Sequence, residues 1–339
     1  MYAPAGSPTV RTKPHPAHGS DAEGLLGSAE LALGEAHKHS PGSSHLFTAT
    51  LRAAAVANGL FEADVHRAIR NHEFELHYQP QVRLADGAFV GAEALIRWNH
   101  PERGLLAPAA FLPALENSSL AVEIGTWVID TACRQAAEWR RLLAAHFRMS
   151  INLFGAQLRG GNLKAALGSA RRRYGLPAGA LELEITETSA LADHGQLLPL
   201  FRGLRDDGFE LAFDDFGTGF ASLSLLSSYP LSHLKIDKGF IQIAPHDHTA
   251  KSIVKAVTDL AHNLGLNVIA EGVETENHLQ FCREIGCDEV QGYLFGRPVP
   301  AAQFTTLWQQ PSIGRLARHG TCAGVTFARS TTATVRPMS

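Results

Sequence analysis

The 339-residue chain has little net charge, few cysteines and no long uninterrupted apolar run. Its formal net charge is -3, with 30 Lys and Arg dispersed among 33 Asp and Glu. Such a balance lacks the basic footprint that binds duplex nucleic acid or an anionic membrane, so any phosphate ligand is held locally. Cys133, Cys282, Cys287 and Cys322 have neither the paired short spacings of a zinc site nor the density of a disulfide scaffold. Buried or free thiols in a reducing cytoplasm are expected. No N-terminal stretch has the charged, apolar and small-residue order of a signal peptide. The uncharged stretch from Phe216 to Leu234 is broken by glycines, serines and Pro230, which makes it loop and helix rather than a membrane span. The chain as given reads as soluble.

What is present is length enough for one domain of roughly 250 residues plus tails, or for two ordinary domains. Residues 1–23 are rich in Pro, Gly, Ser, Thr and His, and residues 310–339 in Arg, Thr, Ser and Ala. Neither has an apolar period, and both are expected to be disordered. The run from Gly24 to Ala36 has helical spacing, and a second helix is signalled from Leu60 to Asn71, where Phe61, Val65, Ala68 and Ile69 share a face. From Phe74 to Leu84 and from Ala88 to Trp98 the sequence reads as two strands around Ala85-Asp86-Gly87, and Asp-Gly between apolar runs signals a hairpin. Strands joined so briefly are antiparallel.

Beyond the hairpin, strands and helices alternate. Strand candidates end at Asn152, Thr186, Asp214, Asp237, Glu271 and Gln291, with helices from Ile124 to Leu143, Gln196 to Arg205, Ala250 to Leu264 and Asn277 to Ile285, and a last one from Ala302 to Trp308. Eight strands over about 250 residues predict an α/β fold, a TIM-like (β/α)8 barrel with an antiparallel first strand.

The stretch from Glu210 to Leu223 is a short apolar strand ending in Asp214, Asp215 and a Gly-rich turn. Neighbouring side chains on a strand point to opposite faces, so the two carboxylates share one task only where the strand has ended and the chain turns. Gly217 and Gly219 permit that turn. Two carboxylates held close are costly unless protonated or neutralised by cations; a polar turn is the plainer alternative. Polar groups also recur at the ends of the other strands: Glu93, Asn152, Glu184, Lys235, Glu271 and Gln291. In a barrel these ends meet at the C-terminal mouth, and hard oxygen ligands of this kind suit magnesium or manganese.

Glu93-Ala94-Leu95, followed by Ile96-Arg97-Trp98, is similar to the signature of EAL-domain cyclic-di-GMP phosphodiesterases. Tyr78-Gln79-Pro80, Asn152, Glu184-Ile185-Thr186-Glu187, Asp214 through Gly219, Lys235-Ile236-Asp237, Glu271 through Thr275 and Gln291-Gly292-Tyr293 resemble that family's pattern in order. The resemblance implies a phosphodiesterase domain at 59–309 that hydrolyses cyclic-di-GMP to linear pGpG with two Mg2+ or Mn2+ ions per site. Glu93, Asn152, Glu184 and Asp214 would hold one ion, Asp214 and Asp215 the other, and Glu271 would reach it through water. Lys235 would orient or deprotonate the attacking water, its charged form disfavoured by two nearby cations; a simple salt bridge to Asp214 or Asp237 is its alternative. Arg97 would clamp a phosphate and Gln79 would meet a guanine edge, with Glu274 and Gln291 completing the mouth. Glu187 would anchor the loop from Gly217 to Ser222. The region from Asp215 to Ser222 would also contribute to a homodimer contact. The rival reading is a catalytically silent cyclic-di-GMP receptor or protein-interaction module.

Phe220, Ala221, Gly239 and His278 depart from the family's more common residues, none of them at a ligand position. Within residues 24–58, the run from Leu25 to Ala36 resembles the last helix of a GGDEF domain followed by a linker. The Gly-Gly-Asp-Glu-Phe motif is absent, so cyclase activity is not expected. Three local motifs mislead. Asp215-Phe216-Gly217 lacks the rest of a kinase, His72-Glu73 with His77 has the wrong spacing for a zinc protease, and His246-Asp247-His248 reads as a solvated turn.

Overall fold

The computed structural model describes residues 26–33, 46–115, 118, 120–192, 194–217 and 223–309. The expected disordered ends, Cys322 and residues 218–222, with Phe220 and Ala221 among them, lie outside the described residues. The described residues form two compact units, one of those up to Glu75 together with those of Trp98–Ile124, the other of Leu76–Arg97 and those from Gly125 to Gln309.

Ten strands occur among the described residues: β1 (Phe74–Arg83), β2 (Phe89–His100), β3 (Gly104–Leu106), β4 (Arg148–Asn152), β5 (Leu181–Thr186), β6 (Glu210–Phe216), β7 (His233–Ile236), β8 (Asn267–Ala270), β9 (Glu289–Gln291) and β10 (Val299–Pro300). In the second unit eight of them close a ring in the order β1-β9-β8-β7-β6-β5-β4-β2, with β2 pairing back onto β1. Each neighbouring pair from β2–β4 round to β8–β9 is parallel, whereas β1 is antiparallel to β9. This is the predicted barrel with its reversed first strand. The hairpin turn at Asp86-Gly87 closes it, with Arg83 N donating to Ala88 O at 2.9 Å. β10, which the sequence pattern does not announce, adds two residues to the edge of β1.

The barrel's outward faces are apolar and make the core with the surrounding helices. Ile151, Leu183, Leu211, Phe213, Leu234, Val268 and Val290 are all fully buried, each contributing about 1.5–3 kcal/mol by leaving water. Aromatic rings fill one side: Trp139 lies 4.5 Å from Phe304 and 4.7 Å from Tyr78 between ring centroids, and its Nε1 donates to Thr305 Oγ1 at 2.9 Å. The closing helix Ala301–Trp308 thus belongs to the barrel's shell, as its predicted range suggested.

Helix ends follow local chemistry. Asp247 caps the helix His248–Asn263, accepting from Ala250 N at 2.7 Å, which accounts for the acid in the His246-Asp247-His248 run. Helix Glu276–Ile285 begins at Thr275 and ends at Gly286, whose φ of 85° returns the chain toward β9. Cys133, Cys282 and Cys287 are buried free thiols, in line with the expectation.

In the first unit, residues 26–33 are helical, and a longer helix spans Ala49–Arg70. It starts well before the predicted Leu60 because Thr48 caps it, its Oγ1 accepting from Leu51 N at 3.3 Å, and the alanine-rich sequence that follows favours helix. One helix therefore runs across the expected boundary between residues 58 and 59. Here too Phe74, Trp98 and Phe111 pack with centroids 5.4–5.9 Å apart, while Trp98 Nε1 donates to Glu73 Oε2 at 3.0 Å. β2 ends against β3, a short strand absent from the sequence expectation.

Candidate active site

Side chains at alternate positions of the parallel strands point into the barrel, and in this one they are polar. The interior carries Asn152 on β4, Glu184 on β5, Asp214 and Asp215 on β6 and Lys235 on β7 toward the C-terminal ends of their strands, with Glu271 directly after β8, Gln291 closing β9 and Glu93 within the longer β2. Glu93, Glu184, Asp214, Lys235 and Gln291 are buried; Asn152 and Asp215 are half-buried. All of these sequence candidates come together.

The pair on β6 does so by a route the sequence reading did not foresee. The strand does not end at Asp214 but continues to Phe216. Phe213 pairs with Leu234 and Phe216 with Ile236, so three steps on β6 match two on β7, and one residue is extra. Such a bulge bends the strand and re-aims a side chain. Asp215 takes up the distortion with a φ of 53°, and its N–H donates to Asp214 Oδ1 at 3.0 Å. Gly217 follows at φ 99°, where an added Cβ would lie 2.7 Å from the Phe240 ring. The bulge, rather than the strand's end, lets adjacent carboxylates serve one site.

Two sets of acids result. Glu93, Glu184 and Asp214 each offer an oxygen within 4.8 Å of the others, and so do Asp214, Asp215 and Glu271. Asp214 is common to both. Glu184 Oε2 is buried without a hydrogen bond or ion pair, in a region where an unpaired charge is costly. Lys235 Nζ lies 2.8 Å from Glu271 Oε1, 2.9 Å from Glu184 Oε1, 3.0 Å from Asp214 Oδ1 and 3.7 Å from Glu93 Oε2. Among the described residues, one ammonium among five carboxylates is too little positive charge for all of them to ionise at low cost. That imbalance, the oxygen-only donor set and the orphaned Glu184 Oε2 fit a site for divalent cations.

The protonation pattern reports the same crowding. Burial, then the neighbouring Glu93, raise Glu184 well above the ordinary carboxylate range. Asp214 is raised by burial against the pull of Lys235, and burial pushes Glu271 up to about 8. Burial together with Asp214 and Asp237 pushes Asp215 up to about 6. Glu93 goes the other way. Burial opposes its charge, but Lys235 and hydrogen bonds from Gln291 and Asn152 outweigh it. Lys235 loses to burial and gains more from Asp214, Glu184, Glu271 and Glu93, so the protein groups alone hold it as an ammonium. A disfavoured charge on Lys235 therefore depends on cations nearby. Of its two alternative salt-bridge partners, Asp214 is met at 3.0 Å, whereas Asp237 caps Lys238–Ile243 and accepts from Gly239 N at 2.8 Å.

The remaining candidates surround this centre. Gln79, on β1, donates from Nε2 to Gly296 O at 3.2 Å and accepts from Gln291 Nε2 at 3.0 Å. Arg97, on β2, is half-buried and donates to Ile96 O at 2.8 Å. Glu187 is buried at the start of Glu187–Ala192. Glu274 is exposed and accepts from Gln242 Nε2 at 3.2 Å.

A deeper polar layer escaped the sequence reading. Arg148, Glu182, His233 and Glu289 lie on β4, β5, β7 and β9, each two residues or more before a candidate already named, with Gln81 and Ser150 between the layers. Arg148 is paired with Glu289 and lies 3.6 Å from Glu182. Its Nη1 is 3.1 Å from His233 Nε2; a guanidinium only donates, so that nitrogen accepts and Nδ1 of His233 faces Glu182 as the donor. The signal was in the sequence as every-second-residue polarity: Glu182 before Glu184, His233 before Lys235, Glu289 before Gln291.

The pattern of the EAL domain family matches residues 62–298. Over 289 residues the chain is 37% identical to the bifunctional diguanylate cyclase/cyclic di-GMP phosphodiesterase MucR of Pseudomonas aeruginosa, a match covering 85% of this chain and 42% of that protein. It is 38% identical over 290 residues to the cyclic di-GMP phosphodiesterase NbdA of the same organism, covering 85% and 37%. The chain thus spans about two fifths of the length of these relatives. A solved structure of the PaMucR phosphodiesterase in complex with c-di-GMP superposes with a TM-score of 0.70 at 40% identity, covering 72% of this chain and 99% of that one. With the family pattern spanning most of the barrel and the acids at its mouth in register, this chain belongs to the EAL domain family.

Proposed function

We propose that this chain is a metal-dependent phosphodiesterase that adds water across one phosphodiester of cyclic-di-GMP, releasing linear pGpG and lowering the second messenger that governs biofilm and motility. The observation that carries the reading is the pair of acid sets sharing Asp214, a site with more carboxyl groups than its one lysine can balance if all ionise. The relatives MucR and NbdA, whose names give this activity, support it.

In this reading residues 59–309 form the catalytic domain of a cytoplasmic protein, and the site would take two Mg2+ or Mn2+ ions. When bound, such ions supply Lewis acidity, activating water and stabilising charge on the attacked phosphate and the leaving oxygen. Glu93, Asn152, Glu184 and Asp214 would hold one ion. Asn152 Nδ2 donates to Glu93 Oε1 at 2.7 Å, which leaves the Asn152 carbonyl oxygen as its ligand atom. Asp214 and Asp215 would hold the other, with Glu271 beside them. Lys235 Nζ would orient the attacking water and, in its neutral form, would take its proton. Arg97 turns its guanidinium to a substrate phosphate, Gln79 faces a guanine edge, and Glu274 and Gln291 complete the mouth. Glu187 anchors the loop after β6, and the region from Asp215 to Ser222 contributes to a homodimer contact.

The test is incubation of the purified chain with cyclic-di-GMP and Mn2+, with dinucleotides separated by chromatography. Formation of pGpG that disappears with a chelator and in Glu93→Ala is the expected result. Binding of cyclic-di-GMP with no pGpG would return the chain to the silent receptor reading.

A further inference from the structure

The two polar layers of the barrel interior are joined by side-chain amides, and their hydrogen bonds run in one direction. We propose that Gln81 is a positioning residue of the active site, fixing the Gln291 amide so that its N–H groups are presented to Glu93 and Gln79. The expected effect on turnover rests on the phosphodiesterase reading; the hydrogen-bond order rests on geometry alone.

The direction originates at Arg148. A guanidinium carries donors and no acceptor, so the Gln81 atom facing Arg148 Nη2 at 3.4 Å is the oxygen, Oε1. The Gln81 Nε2 then points away, 3.2 Å from Gln291 Oε1 and 3.2 Å from Ser150 Oγ. Ser150 has one hydroxyl proton. Glu182 Oε1 at 2.7 Å takes it in preference to Gln81 Oε1 at 3.4 Å, so the Ser150 oxygen accepts from Gln81. With its own oxygen engaged from below, Gln291 directs Nε2 upward, to Glu93 Oε2 at 2.5 Å and Gln79 Oε1 at 3.0 Å.

Turning over the Gln81 amide would set N–H against guanidinium and oxygen against oxygen. Water is not there to repair the mismatch, because Gln81 and Ser150 are fully buried and Gln291 is 4% exposed. Buried unpaired amides are expensive, so the sense is fixed. Its consequence is felt at Glu93, which receives Asn152 on one oxygen and Gln291 on the other. The plane of that carboxylate, and the lone pairs left for a cation, are set from both sides.

Gln81→Glu separates positioning from packing. Its shape is almost unchanged and Arg148 can hold the new carboxylate, but that group has only acceptors to show Gln291. Gln291 should turn over and present oxygen to Glu93. Gln81→Met keeps the volume and offers nothing. By analogy with outer-sphere partners of metal ligands, the dissociation constant for Mn2+, read by titration calorimetry, should rise about 10–100-fold in Gln81→Glu and less in Gln81→Met. In the same variants kcat should fall more than KM changes, and in a crystal structure of Gln81→Glu the Gln291 amide should no longer donate to Glu93. Wild-type Mn2+ affinity with that hydrogen bond intact would overturn the proposal, as would variants that lower only the thermal midpoint. If Gln81→Glu does not fold, Gln81→Met decides by the same two readouts. If the native chain cleaves no cyclic-di-GMP, or takes no Mn2+, the phosphodiesterase reading fails, and the Gln291 orientation in the variant crystal still decides this one.

Discussion

Asp214 and Asp215 are adjacent in sequence and face one site, which a regular strand forbids. The bulge in β6 resolves this by placing Asp215 at φ 53°, a backbone cost of about 1–2 kcal/mol for an ordinary L-residue that Asp and Asn bear best. Asp215→Asn should therefore keep the wild-type thermal midpoint within a few degrees while weakening Mn2+ binding by about tenfold or more; equal loss of fold and metal would refute the separation. The titration of the pair gives a second prediction. Asp215 at about 6 and Glu271 at about 8 exceed the unfolded carboxyl value of about 4. Between these limits the folded state binds more protons than the unfolded, so its stability falls as pH rises. Chelator-treated protein should melt at a lower temperature at pH 8 than at pH 6, and added Mn2+, competing with protons for the same oxygens, should raise the midpoint more at pH 8. A midpoint that rises with pH under chelation would contradict the crowded, proton-holding site.

At the scale of elements, two glycines show two different demands. Gly91 lies where β2 meets β4, and a Cβ there would sit 2.1 Å from the Arg148 carbonyl oxygen. Gly286 ends Glu276–Ile285 at φ 85° with open space around it. Gly91→Ala must push two strands apart and should cost about 1–3 kcal/mol or more; Gly286→Ala pays only the left-handed backbone, about 1 kcal/mol. Urea denaturation of both variants checks the order, and the reverse order would undo the close-approach argument. Strands and their polar ends were legible because alternation and Asp-Gly are local signals. The bulge was not, since nothing local distinguishes Asp-Asp on a bulge from Asp-Asp at a strand end. Nor was the Arg148, Glu182, His233 and Glu289 layer, because each partner lies across the barrel and meets the others only once β1 closes on β9.

At the scale of the molecule, apolar packing and polar order occupy separate places. The apolar core lies outside the ring of strands, where Trp139, Phe147 and Phe304 meet. Phe304→Ala should cost about 3–5 kcal/mol, seen as a lower urea midpoint with metal affinity per folded molecule unchanged; a loss of affinity in the folded fraction would mean the shell and the site are coupled. Inside the ring, Arg148 and His233 hold Glu182 far below the usual carboxylate range despite burial. Its contribution is present above the unfolded value and drains away as acid reaches the folded one. A barrel filled with aliphatic side chains can exchange them singly, because a methyl group has no sense of direction. The amides and ions here do, and a change at one position reverses what its neighbour must offer. Tolerated substitutions inside this barrel should consequently come in matched sets, so that a library varying one interior position at a time would find almost none of them.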